Sequence, residues 1–193
     1  MTKSIPEGLR KFLSRHEQIG NKDLLVFDGI VSQVEMEECY QALSRVEYRL
    51  NDVDSKETQY SKHWKAEFDV QQVPQILFWG RILQVALQVF PEEPLVLNRV
   101  HSNLHLYGDL QFPHIDSKDG VTLLYYANPV WNENWMGETI FYSDDREPYL
   151  VVAPRPGRVI VFRGNILHRA GVPSRECFEP RVSVAFKFGQ LEE

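Results

Sequence analysis

The sequence predicts an α+β fold: a double-stranded β-helix, or jelly roll, in the second half of the chain, with N-terminal helices packed on one outer face. Three observations predict it. Before Pro94, apolar residues recur at helical spacing in two runs. After Pro94 they fall into short strand-like runs separated by Gly, Pro, Asn and Asp, the pattern of an antiparallel sandwich or barrel. The 193 residues, 43% hydrophobic and 25% charged, are ordinary for one globular unit with a substantial core. The expected organisation is a single domain over 1–193, with 1–94 mainly helical support and cover and 95–190 the jelly-roll core.

In chain order, Ser32 is the expected N-cap of a helix over 33–43, where Met36, Cys39, Tyr40 and Leu43 share one face. Residues 50–73 are polar, with Tyr60, His63, Trp64 and Phe68 as large anchors, and read as an irregular excursion that Pro74 ends. A second helix is expected over 75–90, where Ile76, Phe78, Trp79, Ile82, Leu83, Ala86 and Phe90 repeat at helical spacing before Pro91 and Pro94. Strands are expected at 95–107, 112–116, 122–126, 138–142, 149–152, 159–162 and 182–188. Alternation in the first of these sends Arg99, His101, Asn103, His105 and Tyr107 to one side. That polar face either looks at water or lines the barrel interior, and its nearness in sequence to His114 favours the interior.

Composition narrows the setting. The N-terminus lacks the apolar stretch of a signal peptide and no run reaches the length of a membrane span, so a cytoplasmic protein without membrane attachment is expected. Cys39 and Cys177 have no metal-type spacing and are expected to stay as thiols. A net charge of -6 argues against nucleic-acid binding. Residues 154–187 nevertheless hold six arginines and Lys187 against Glu176 and Glu179, a local surplus that favours anionic ligands.

The chemistry lies in His114, Asp116, His168, Arg181 and Ser183. Two residues apart on an extended strand, His114 and Asp116 face the same way, and His168 closes the site from a later segment. Two imidazoles and one carboxylate leave open positions on one side of a divalent ion, the arrangement that suits non-haem Fe(II). In 180–188, alternation sends Arg181 and Ser183 to one face and Val182 and Val184 to the other. An arginine in such a run must find an anion or reach water, and here it can hold the far end of a dicarboxylate. His101 or His105 would be a third ligand only if His168 were not.

With these residues in place, the chain resembles the Fe(II)- and 2-oxoglutarate-dependent oxygenases, and within them the prolyl 4-hydroxylase-like group. The resemblance spans roughly 104–188. It rests on Tyr107-Gly108 before His114-Ile115-Asp116, the run from Leu124 to Trp131, Gly137-Glu138-Thr139-Ile140-Phe141, Pro156-Gly157 before His168, and Arg181-Val182-Ser183. It implies iron on His114, Asp116 and His168, and 2-oxoglutarate with its distal carboxylate on Arg181, assisted by Ser183 and Tyr126. Tyr107 then stands near the cosubstrate's metal-bound end. It also implies dioxygen as co-reactant, ascorbate as an accessory reductant, and hydroxylation as the outcome. Asp116 speaks against a halogenase, where a small residue replaces the carboxylate. Two departures stand out: Met136-Gly137-Glu138 where the family commonly has Gly-Gly-Glu, and a long interval between His168 and Arg181.

The expected substrate is a small-molecule metabolite, touched by Asn103, His105, Trp131, Trp135 and Arg169. Cover segments at 52–72, 128–136 and 169–180 would choose it. A prolyl or other protein side chain is the second reading, and a non-catalytic jelly-roll binding protein the third. A cupin-like isomerase would need more histidines and no dicarboxylate anchor, and oligomeric state is left open.

Overall fold

The computed structural model describes residues 5–190. After a short helix, α1 (Glu7–Arg10), the chain enters a hairpin of β1 (Leu13–Ile19) and β2 (Lys22–Phe27). Its two-residue turn begins at Gly20, whose φ of 62° is open to glycine at little steric cost. Helix α2 (Gln33–Leu43) follows, started by a full capping box in which Ser32 accepts from the Glu35 backbone and Glu35 bonds back to Ser32. Then come β3 (Arg49–Asp52), β4 (His63–Phe68) and α3 (Trp79–Val89). The second half supplies β5 (Leu95–His105), β6 (Val121–Tyr126), β7 (Thr139–Tyr142), β8 (Pro148–Val152), β9 (Val159–Arg163), β10 (His168–Ala170) and β11 (Arg181–Gln190).

These strands form two antiparallel sheets. The larger runs in the order β1-β2-β9-β6-β11-β5-β4-β3, the smaller β10-β7-β8. Strands at the middle of the larger sheet are buried on both faces, which is why their sequences read as near-continuous apolar runs rather than clean alternation. One face, with Leu25, Phe27, Val100, Leu123, Tyr125, Val161, Val184 and Phe186, shares a core with Met36, Cys39 and Leu43 of α2 and with Trp79, Ile82, Val85, Ala86 and Val89 of α3. Trp79 fixes the second helix in place, edge-on to Phe68 at 5.1 Å and to Phe186 at 5.3 Å. The opposite face, with Leu24, Val26, Leu124, Tyr126, Ile160, Phe162 and Ala185, packs on Phe141, Leu150 and Val152 of the smaller sheet. Each such buried apolar side chain stabilises the fold by about 1.5–3 kcal/mol. This is the jelly roll that the second half predicts.

The first half departs from the sequence reading. It is not mainly helical: β1 to β4 all lie before Pro94, and they extend the larger sheet at both edges. The polar excursion contains a hairpin of β3 and β4, and Trp64 to Phe68 of β4, where Lys65 and Glu67 alternate with apolar residues, pair in turn with β5. The second helix begins at Trp79 rather than near residue 75. Val73–Gln75 is a 3-10 turn around Pro74, and Leu77 at φ 44° lies outside any helical path. Residues 112–116 form no strand; a single bridge joins His114 to His168. Among the described residues no helix is long and apolar enough to cross a membrane.

Candidate active site

The space between the sheets holds a cavity of about 220 Å³ lined by His114, Asp116, His168, Arg181 and Ser183 together. The three metal-type residues come from two backbone segments tied to each other. His114 N donates to His168 O at 2.9 Å and His168 N to His114 O at 3.0 Å, while Asp116 N donates to Gly164 O at 2.8 Å. One ligand atom from each of the three lies within 4.8 Å of the others.

The donor atoms are set for a divalent cation. His114 Nδ1 donates to Phe112 O at 2.9 Å, and His168 Nδ1 donates to Ile166 O at 2.9 Å. A carbonyl can only accept, so each ring carries its proton on Nδ1 and offers the Nε2 lone pair to the site. Those Nε2 atoms stand 3.8 Å and 3.6 Å from the Asp116 oxygens. Burial holds the His168 imidazolium down to about 4, so the ring is neutral near pH 7. Burial pushes the Asp116 carboxyl up, but His168, Lys187 and His114 together hold it well below the usual carboxylate range. Thr122 Oγ1 donates to Asp116 Oδ2 at 2.6 Å, and Lys187 Nζ meets Asp116 Oδ1 at 2.7 Å. Two imidazoles that turn Nε2 to the site and one ionised carboxylate, each oriented by a neighbouring group, fit Fe(II).

Arg181 is 1% exposed. Its Nε donates to Gly137 O at 2.6 Å, Nη1 to Ser183 Oγ at 3.3 Å and Nη2 to Thr139 Oγ1 at 3.2 Å. None of these is a carboxylate, and burial lowers the guanidinium pKa. Gly137 permits the close approach: a Cβ there would lie 3.0 Å from Arg181 Cδ, on a backbone at φ 76°. Beside it, Met136 stands at φ 57°, a conformation that favours glycine, which is where the chain departs from the Gly-Gly-Glu pattern.

The remaining sequence expectations divide. Asn103 and His105 line the cavity from β5; Asn103 Oδ1 and both His105 nitrogens are buried without a protein partner. Burial, with Arg181 and His63 nearby, pushes the His105 imidazolium well below its ordinary range. Tyr126 lies outside the cavity lining: its hydroxyl is engaged with Thr139 Oγ1 at 2.6 Å and Val152 O at 3.3 Å, and its ring packs 5.2 Å from the Arg181 guanidinium. It supports the arginine rather than presenting a hydroxyl to the cavity. Tyr107 follows the end of β5, 61% exposed and also outside the lining. Trp131 and Trp135 pack edge to face at 5.3 Å, with Trp131 Nε1 donating to Met136 O, so they brace the Gly137 turn and do not line the cavity. Arg169 bonds Tyr142 Oη at 2.8 Å, likewise outside the lining.

Sequence reasoning missed several lining residues. Thr122 and Thr139 hold Asp116 and Arg181, as above. Gln111 accepts from Ala170 N at 2.9 Å. Asp54, in the excursion, stands 3.3 Å from His114 Nδ1 and 3.0 Å from His63 Nε2, and accepts from Phe112 N at 2.6 Å. Lys187 shares the face of Arg181 and Ser183 six residues on, so alternation alone could have placed it.

Comparison with known proteins agrees with this geometry. Residues 102–188 match the model of the 2OG-Fe(II) oxygenase superfamily. Among solved structures, the chain is similar to a prolyl-4-hydroxylase from Pseudomonas putida, at TM-score 0.66 and 16% identity over 88% of this chain and 93% of that one. It is also similar to an oxidoreductase of the 2OG-Fe(II) oxygenase family from Burkholderia pseudomallei, at TM-score 0.67 and 13% identity over 86% and 84%. A third, the non-haem α-ketoglutarate-dependent epimerase SnoN from nogalamycin biosynthesis, aligns at TM-score 0.62 and 16% identity over 86% and 77%. No curated protein sequence matches the chain.

Proposed function

We propose that this protein is a 2OG-Fe(II) oxygenase, a reading that the match of residues 102–188 supports, and that it hydroxylates an unactivated C–H bond of a small polar metabolite while 2-oxoglutarate is decarboxylated to succinate and carbon dioxide. The observation that carries the reading is Arg181: a fully buried guanidinium with no carboxylate bonded to it among the described residues, in the same cavity as a two-histidine, one-carboxylate cluster. A buried charge without a partner is costly, so the site is built for an anion that arrives from outside.

His114 and His168 offer Nε2, and Asp116 one oxygen, to Fe(II). Iron, when bound with 2-oxoglutarate, supplies the dioxygen activation that no side chain here provides. Arg181 holds the distal carboxylate, with the Ser183 and Thr139 hydroxyls keeping the guanidinium in plane for it. Thr122 and the backbone acceptors of the two histidines keep the donor set aimed. Asn103 and His105 present unpartnered polar atoms to the cavity and are assigned to bound ligand. Two buried free thiols, Cys39 and Cys177, suit a reducing compartment such as the cytoplasm.

The test is anaerobic addition of Fe(II) and 2-oxoglutarate, followed by oxygen and a metabolite pool. A weak visible charge-transfer band, then succinate and a product heavier by one oxygen atom, is the expected result. A colourless mixture with no succinate overturns the reading, and a proline-containing peptide panel in the same assay tests the protein-side-chain alternative.

A further inference from the structure

Beyond the triad, the same cavity runs on into a charged strip that the reaction as described does not use. Cross-strand register sets it out: Lys187 of β11 faces Arg99 of β5 on one side and Thr122 of β6 on the other, with His101 one step along β5. All four line the cavity.

The ion pairs there close almost completely among themselves. Lys65 Nζ bonds Asp52 and Glu67, each at 2.8 Å. Arg99 Nη2 bonds Glu67 at 2.8 Å and Asp52 at 3.3 Å. Two cations are thus matched by two carboxylates. Lys187 is the third cation, and its carboxylate is Asp116. His101 adds no charge, since burial with Lys187 and Arg99 nearby holds its imidazolium at about 3, and its buried Nδ1 has no protein partner.

Asp116 is the one carboxylate of the metal donor set. With a divalent ion held there, the charge of Asp116 would be shared with the ion and the ammonium of Lys187 would lose its counter-charge, beside the metal donor set and next to an unsatisfied imidazole nitrogen. An uncompensated cation in a partly buried cleft is stabilised by an anion of opposite charge. We propose that Lys187 is a substrate-anchoring residue, released from Asp116 when the metal binds, and that the substrate carries an anionic oxygen group, carboxylate or phosphate-type, that docks on Lys187 with His101 alongside. This rests on the oxygenase reading and names the substrate class of that site.

The test uses the full chain loaded with Mn(II) and 2-oxoglutarate in place of a turning-over enzyme. Paramagnetic broadening of the methyl proton signals of acetate, methylphosphonate and acetamide reports which probe sits near the ion. The expected result is that acetate or methylphosphonate is broadened about tenfold more than acetamide, that Lys187→Met loses the difference, and that Lys187→Arg keeps it. A preference for acetate assigns a carboxylate substrate, a preference for methylphosphonate a phosphate-type one. Lys187→Met should also bind Mn(II) several-fold more tightly by isothermal titration, because no ammonium competes for Asp116. Equal broadening by acetamide, or an anion preference that survives in both Lys187→Met and Lys187→Gln, overturns the anchor while 2-oxoglutarate binding stays normal. Failure of 2-oxoglutarate to bind the Mn(II) form overturns the oxygenase reading beneath it.

Discussion

The two ends of the cavity handle positive charge in opposite ways. At one end Arg181 is buried, Gly137, Ser183 and Thr139 each accept one of its N–H groups and leave the others for a ligand, and no carboxylate among the described residues bonds it. At the other, Lys187 and Arg99 are tied into ion pairs with Asp116, Asp52 and Glu67. The first end is preorganised: its donors are aimed before any ligand arrives, so little rearrangement opposes binding. The second end changes state with the ion, because one of its carboxylates is also a ligand. On the function proposed above, a preorganised cosubstrate end and a metal-dependent substrate end predict ordered assembly, metal and 2-oxoglutarate before substrate.

The comparison can be broken at either end. The largest effect is expected from Asp116→Ala, which removes a ligand and the Lys187 counter-ion at once; succinate formation should fall to background, and retained turnover would refute the donor set. Next is Arg181→Ala, which removes a charge-assisted anchor of about 1.5–3 kcal/mol and should raise the KM for 2-oxoglutarate by tenfold or more. An unchanged KM would mean the cosubstrate lies elsewhere. Thr122→Val deletes the hydroxyl that orients Asp116 without touching the ligands. Mn(II) affinity, read by titration, should drop about tenfold, the lower range for loss of such a supporting contact.

A smaller effect concerns acid. His101 and His168 have imidazolium pKa values near 3 and 4, and His105 lies well below its ordinary range, each because burial disfavours the charged ring. All three are neutral in the folded protein, whereas the unfolded chain binds protons below about pH 6.5. Their contribution to stability is therefore complete above that pH and lost as pH falls toward 4, on the order of 1 kcal/mol per pH unit for each ring in the metal-free protein. Thermal melts at pH 7, 6, 5 and 4 check it; a flat profile would mean these rings are not buried neutral. The smallest change is Met136→Gly, which relieves a left-handed backbone at φ 57° and should stabilise by about 0.5–1 kcal/mol in denaturant melts, with catalysis unchanged.

How far the sequence carried depended on whether a residue's position followed from local periodicity. Arg181 and Ser183 face the cavity because period-two alternation along β11 fixes their side, whereas His114 and Asp116 lie in a segment that forms no strand and are held at the site by main-chain bonds to His168 and Gly164. Alternation says which face but not what that face meets. Tyr126 is in phase with Ser183, its cross-strand partner, yet its hydroxyl reaches past the cavity to Val152. Tyr107 lies past the end of β5, where alternation no longer applies. Asp54 and Gln111 sit in segments with no period at all, and only the tertiary path of 52–63 and 106–113 brings them to the site. β3 and β4 were hidden for a related reason: the edge strand β3 and its neighbour β4 read as polar, and their apolar positions are too few to declare a strand against the helical signals on either side.

The bridge between His114 and His168 has a consequence for how the site is filled. Two reciprocal main-chain bonds, at 2.9 and 3.0 Å, set the separation of the imidazoles like a spacer bar, so the gap is gauged by the ladder rather than by whatever occupies it. A chelator should therefore strip the ion without melting the protein, and reloading should be limited by delivery of the metal rather than by refolding. Those two amides are accordingly expected to exchange with deuterium at similar, slow rates with and without the ion.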